Sequence, residues 1–333
     1  MMNQRSSHTE RVGQGDHVYR PLDAWHQVPA DIPMGEAVGV AVDSQDRVFV
    51  FNRGRHPVMV FDADGTFLSC WGEGDFQRPH GIHIDPEDVL YLTDDQGHCI
   101  HKCTPEGERL GMFGSPGVPS DTGVVDANYR TLQQPAGPFN LPTNVTFSSD
   151  GEMYVSDGYG NCRVHCYAAT GELQLSWGEP GCDEGQFHLP HGIAVDSQDR
   201  VVVADRENSR LQFFTRAGEF CEQWTDVVRP CNVFVTSDGN LFVAEMGWHA
   251  GTSQPRPDEA GGRVSVFAPD GVLLSRWGGG LNPYAAGDFI APHDIWVDRQ
   301  GGVYVAEVTL SAGVSRGLVT ADCATLQKFV PRR

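Results

Sequence analysis

Three short stretches of this sequence place a histidine in the same setting. They are Arg78-Pro79-His80-Gly81-Ile82-His83-Ile84-Asp85, Leu189-Pro190-His191-Gly192-Ile193-Ala194-Val195-Asp196 and Ala291-Pro292-His293-Asp294-Ile295-Trp296-Val297-Asp298. In each, a Pro-His pair opens a short apolar run that ends in Asp. A neutral imidazole nitrogen is a common ligand for zinc and other transition metals. Three such nitrogens with an open fourth position is the layout of a catalytic zinc site. The same pattern also reads as punctuation of a repeat, with each imidazole capping a strand.

The elements that carry these histidines recur. Copies of the strand start at Gly39, Gly81, Asn144, Gly192, Asn232 and Asp294, in steps of 42, 63, 48, 40 and 62 residues. Each is followed by a turn and a second strand, as in Arg47-Val48-Phe49-Val50 and Arg200-Val201-Val202-Val203. A third strand follows, and a fourth that often closes on an aromatic such as Trp71, Phe113, Trp177, Trp224 or Trp277. Four antiparallel strands per unit and six units predict an all-β, six-bladed β-propeller. The last unit has no fourth strand of its own. The segment Val18 to Trp25 is expected to supply it, closing the ring and hiding a sheet edge. Residues 1–17 read as a flexible N-terminus and 18–333 as one propeller domain.

Two steps are long because of insertions, at about 115–141 and 246–262. Strand direction alternates, so both insertions fall on the face where the Pro-His motifs begin. Loops of that length are lids or binding loops, or else disordered. His80, His191 and His293 belong to blades two, four and six, about 120° apart around a six-fold ring. They converge on the central channel. Blades one, three and five carry Val38, Thr143 and Cys231 at that position. On the same face the second strands end near Arg53, Tyr159 and Arg206. An arginine can hold a carboxylate bidentately, and a tyrosine beside a cation can act as a base. A bland ion-pair network among Asp157, Asp205, Glu207 and the arginines is the competing reading. His56 and His98 read as turn residues, His83 as packing, and His188 and His249 as minor candidates near the site.

The chain has 333 residues and a formal net charge of −20. Such a surface repels nucleic acid and anionic membranes. It makes basic residues facing a pocket locally distinctive, suited to a small anionic molecule. No stretch approaches the roughly 20 apolar residues of a membrane span. Met1 to His8 is polar and lacks the apolar core of a signal peptide. The nine cysteines lack zinc-type double CxxC spacing and read as reduced, buried thiols. Together these features lead to the expectation of a cytoplasmic protein.

The six units resemble NHL repeats, and the propeller is similar to the peptidyl-α-hydroxyglycine α-amidating lyase family from about Val38 to Val305. The motifs that carry the resemblance are Phe51-Asn52-Arg53-Gly54, Pro79-His80-Gly81, Val155-Ser156-Asp157-Gly158-Tyr159, Leu189-Pro190-His191, Val203-Ala204-Asp205-Arg206-Glu207-Asn208 and Pro292-His293-Asp294. The resemblance implies zinc on His80, His191 and His293, with Tyr159, Arg53 and Arg206 lining the active site. It also implies a structural calcium held by the Asp294 side chain and the carbonyls of Val40 and Ile82. The implied reaction cleaves a carbinolamide acid to an amide and glyoxylate. The sequence departs from secreted members of the family. Gly160 stands where they carry a cysteine, Val203 replaces another, and Arg55 adds a second arginine to its turn. A small cytosolic substrate is therefore expected rather than a peptide hormone. A metal-dependent hydrolase, lactonase or hydratase on the same site is the alternative. A non-catalytic NHL scaffold is a third reading.

Overall fold

The structure, a computed structural model, describes residues 11–22 and 24–332. Six antiparallel sheets are arranged as the blades of a propeller. The innermost strands are Ala37–Val42, Pro79–Ile84, Pro142–Phe147, Pro190–Val195, Pro230–Val235 and Pro292–Val297. Each is hydrogen-bonded to a second strand that is fully buried, such as Val48–Asn52 or Val201–Asp205. Outer strands such as Arg109–Gly114 alternate toward solvent. Burial is therefore complete at the second strands and lowest at the outer ones, as expected when each blade is covered by both neighbours.

Aromatic side chains glue blade to blade. Trp177 packs on Phe214, Trp224 on Phe267, and Phe113 on Tyr167. Between the last and first blades that position is filled by Trp25, which contacts Tyr304 and Phe61 and donates its indole N–H to the Ala63 carbonyl. The ring closes as the sequence suggests. His17–Leu22 pairs antiparallel with the final strand Leu326–Pro331.

The boundary at residue 18 moves. Val12–Gln14 adds a fifth strand to the last blade, turning back through Gly15 at φ 58°. Val12 is buried beside Phe289 and Trp277, so this part of the expected flexible segment is tied down by apolar burial. The rest of that segment, residues 1–10, lies outside the described residues. No helix among the described residues is long and apolar enough to cross a membrane.

One irregularity recurs in all six blades. The first and second strands slip register immediately after the first residue of the inner strand. The residue left at the slip is 38, 143, 191, 231 or 293, and in blade two 80 together with 81. A bulge of this kind bends the strand and re-aims one side chain. Proline suits the position just before it, because an N–H there has no ladder partner to lose.

Candidate metal centre

The bulges turn His80, His191 and His293 into the channel. All three are buried, and their ligand atoms lie within 4.8 Å of one another. Ring centroids are 4.7–4.8 Å apart. Each Nδ1 meets a backbone carbonyl of the next blade. His80 bonds Thr143 O at 2.7 Å, His191 bonds Cys231 O at 2.8 Å, and His293 bonds Val38 O at 2.7 Å. A carbonyl only accepts, so each Nδ1 carries the proton and each Nε2 presents a bare lone pair. The Val38, Thr143 and Cys231 positions are thus not spacers alone, because their carbonyls set the tautomer.

Close approach of the blades makes this geometry. A Cβ on Gly81 would sit 2.5 Å from Thr143 O, and one on Gly192 would sit 2.5 Å from Cys231 O. In blades two and four glycine therefore lets the neighbouring carbonyl come near enough to catch the imidazole beside it, while in blade six the same contact forms beside Asp294.

The imidazoles are uncharged. Burial is the main cause for all three, followed by the other two imidazoles for His80, by Arg206 and then His293 for His191, and by Arg53 for His293. His80 and His191 lie well below the ordinary range and His293 is lowered to about 3. His80 Nε2 is buried and has no hydrogen-bond partner. An orphaned buried acceptor, beside two more imidazoles with the same tautomer, fits a divalent transition metal.

Tyr159 and Arg206 stand against this cluster. The Tyr159 hydroxyl lies 3.2 Å from His191 Nε2 and accepts from Arg206 Nη1 at 2.9 Å. Arg206 is buried. Burial opposes its charge, but the Tyr159 and Glu207 oxygens outweigh that effect and keep it protonated. Glu207 bonds both Arg206 and Arg229. Burial works against its charge too, yet the two guanidiniums hold its carboxyl down to about 2. Arg53 sits at the rim, donating to Pro79 O at 3.1 Å and pairing with buried Glu36 at 2.9 Å.

The competing ion-pair network forms only in part: Glu207 pairs with Arg206 and Arg229, whereas Asp157 and Asp205 have other partners. Asp157 engages Asn140, Asn161 and His165, and Asp205 engages Arg210. Those carboxylates are internal to their blades.

Asp294 also faces the channel. It accepts from the N–H of Val40 at 2.9 Å and of Ile295 at 2.9 Å, and from the Asn232 amide. Burial pushes its carboxyl up to about 7 against these donors. Ile82 and Asn232 line the same channel, and Asn232 Oδ1 has no partner.

Four further histidines have partners of their own. His98 accepts from Leu141 N–H, and His83 lies in the channel against Phe147 and Trp296. His188 stacks on Tyr129 of the first insertion, and His249 bonds Glu259 O within the second. The second insertion is held to the site by Arg229. Its guanidinium is fully buried and donates to Gly247 O, Ala250 O and Gly251 O as well as to Glu207.

Three charged neighbours are absent from the sequence expectations. Arg78 lies 5.6 Å over the Tyr159 ring and pairs with buried Asp95. Glu36 and Arg229 are the others. All three occupy one repeat position, the residue just before the inner strand. Reading the repeat one residue further upstream exposes that pattern.

Comparison with known proteins agrees with this architecture. The NHL repeat profile matches residues 187–214. The chain is 31% identical over 293 residues to NHL repeat-containing protein 3 of Mus musculus, covering 82% of this chain and 77% of that one. It is 31% identical over 267 residues to peptidyl-alpha-hydroxyglycine alpha-amidating lyase 1 of Drosophila melanogaster. That match covers 74% of this chain but 46% of the relative, so the chain spans under half of that protein's length. A gluconolactonase from Xanthomonas campestris superposes with a TM-score of 0.60 at 14% identity, over 97% of this chain and 94% of that one, a likeness of fold alone. With six bulged units around one channel and identity shared along most of both chains, the protein belongs to the NHL-repeat propeller family that includes NHL repeat-containing protein 3.

Proposed function

We propose that the protein is a metal-dependent lyase that cleaves a small carbinolamide acid of the α-hydroxyglycine type to an amide and glyoxylate. The observation that carries this reading is the set of three uncharged imidazoles, Nε2 inward, facing the Tyr159–Arg206 pair. Similarity to a relative named as an amidating lyase supports it. A divalent transition metal, zinc by the donor set, would be held by His80, His191 and His293 and would supply Lewis acidity toward the substrate hydroxyl.

The chain's own residues supply the rest. Tyr159 takes the hydroxyl proton and returns it to the departing amide nitrogen as the C–N bond breaks and the aldehyde forms. Negative charge on the Tyr159 oxygen lies 2.9 Å from the Arg206 guanidinium, which stabilises it. Arg53, at the rim, binds the substrate carboxylate. Arg53, Arg78, Arg206 and Arg229 each help to keep the imidazoles uncharged. The same field favours an anionic substrate despite the net charge of −20. Asp294, with the carbonyls of Val40 and Ile82, is assigned a structural calcium. Its buried carboxylate and the unpartnered Asn232 Oδ1 support an oxygen-only cation site. Nine free thiols suit a reducing, cytoplasmic setting.

The test is glyoxylate release from N-acyl-α-hydroxyglycines. Activity should vanish on chelation and return with zinc. Tyr159→Phe should lower kcat by about 10²–10⁴ while metal content is unchanged. Opening of an aldonolactone without glyoxylate release from any carbinolamide would instead make the site a hydrolase.

A further inference from the structure

Blade two breaks a rule that its sisters keep. The second strands of blades two to six end in a buried carboxylate: Asp94, Asp157, Asp205, Glu245 and Glu307. Each accepts backbone N–H groups from the chain entering its own inner strand. In blades three to six the third strand adds a side-chain partner. Arg210 donates to Asp205 and Arg263 to Glu245, both at 2.8 Å. Gln327 donates to Glu307 at 3.0 Å, and His165 lies 3.2 Å from Asp157.

In blade two the residue in register with Asp94 is Cys99, where Asp205 faces Arg210 and Glu245 faces Arg263. The cation is missing. His101 stops 3.9 Å from Asp94 Oδ2 and lies 3.3 Å from Cys99 Sγ, while its Nδ1 is buried without a partner. Asp94 Oδ1 accepts from Arg78 and Gly97, and Oδ2 from Gln77 alone. One lone pair therefore remains on the oxygen that faces the imidazole. Arg109, felt by both Cys99 and His101, is turned toward Asp75 at 3.7 Å near the surface.

We propose that Asp94, Cys99 and His101 bind a second transition-metal ion, distinct from the channel site and structural in kind. All three are at least 97% buried, and their ligand atoms fall within 4.8 Å of one another. Tetrahedral zinc sets its ligand atoms roughly 3.3–3.7 Å apart. The observed 3.3 and 3.9 Å, with the Cys99–Asp94 pair within 4.8 Å, call for side-chain adjustments of about 1 Å. A thiolate in the set selects zinc, cobalt or cadmium over calcium and magnesium. Cys99 binds as the thiolate, so its proton leaves to solvent when the ion enters. The ion restores the positive charge that arginine supplies in blades four and five. Because Asp94 holds the backbone of Gln77 and Arg78, a filled site stiffens the approach to His80.

Cobalt(II) separates the two sites, because only thiolate ligation gives a near-ultraviolet sulfur-to-cobalt charge-transfer band. Chelator-stripped, reduced wild-type protein should take up two equivalents of cobalt and show the band. His191→Ala should lose one equivalent and keep the band. Cys99→Ser should lose the band and the other equivalent. His101→Gln should bind that equivalent at least tenfold more weakly, and far-ultraviolet circular dichroism should show both blade-two variants folded. No thiolate band in wild-type protein overturns the proposal, whatever the variants do. So does a band that survives in Cys99→Ser.

Discussion

A histidine is ready for a metal when it is uncharged and its free nitrogen already faces the ion. Here both conditions are built into the fold, through burial and through a carbonyl on each Nδ1. That preparation has a cost in the metal-free protein. Unfolded, these imidazoles protonate near 6.5, whereas folded His293 protonates only near 3. Below 6.5 the unfolded state binds more protons, so stability is full above that pH and is lost as pH falls toward 3. The slope should be about 1.4 kcal/mol per pH unit for each such histidine. Urea unfolding of chelator-treated protein across this window should show it. His293→Gln should be shallower by one histidine's share, and equal slopes would refute the assignment. The three histidines were legible from sequence because Pro-His recurs in alternate blades. Arg78, Glu36 and Arg229 were not, because charge just before a strand is common and only the fold shows that it faces the channel.

At the scale of elements, the repeat phase was readable because period-two apolar runs and turn residues recur at blade-sized steps. The bulge was not, because register depends on the partner strand. The insertions were visible as extra length, but their anchors were not. Arg229 links the carbonyls of the second insertion to Glu207, and Glu207 links to Arg206. Arg229→Met would leave buried Glu207 with one cation fewer and three carbonyls without a donor. A loss of about 3–5 kcal/mol is expected. Limited proteolysis should then cut first within residues 246–262. An unchanged cleavage pattern would mean that the loop is held by other contacts.

For the whole molecule, the ring depends on its two ends meeting. The sequence announced the closing strand through the missing fourth strand of the last unit and through Trp25. It also carried a turn signal at Gly15-Asp16, which marks the added strand Val12–Gln14. Tyr19 and Val12 are buried against Phe242, Trp277 and Phe289. Deleting residues 1–22 removes both strands and opens a sheet edge. Burial of these two side chains alone is worth about 4–5 kcal/mol, so Tm should fall by at least about 6 °C. A truncated protein that melts like the full chain would show that the ring closes without them. A transition metal held by the three histidines of the ring would be seen in metal content by inductively coupled plasma mass spectrometry. Wild-type protein should carry zinc or another transition metal, and His80→Ala, His191→Ala and His293→Ala should each carry one equivalent less while remaining folded. Metal content that is the same in all four proteins would mean that the three histidines hold no metal.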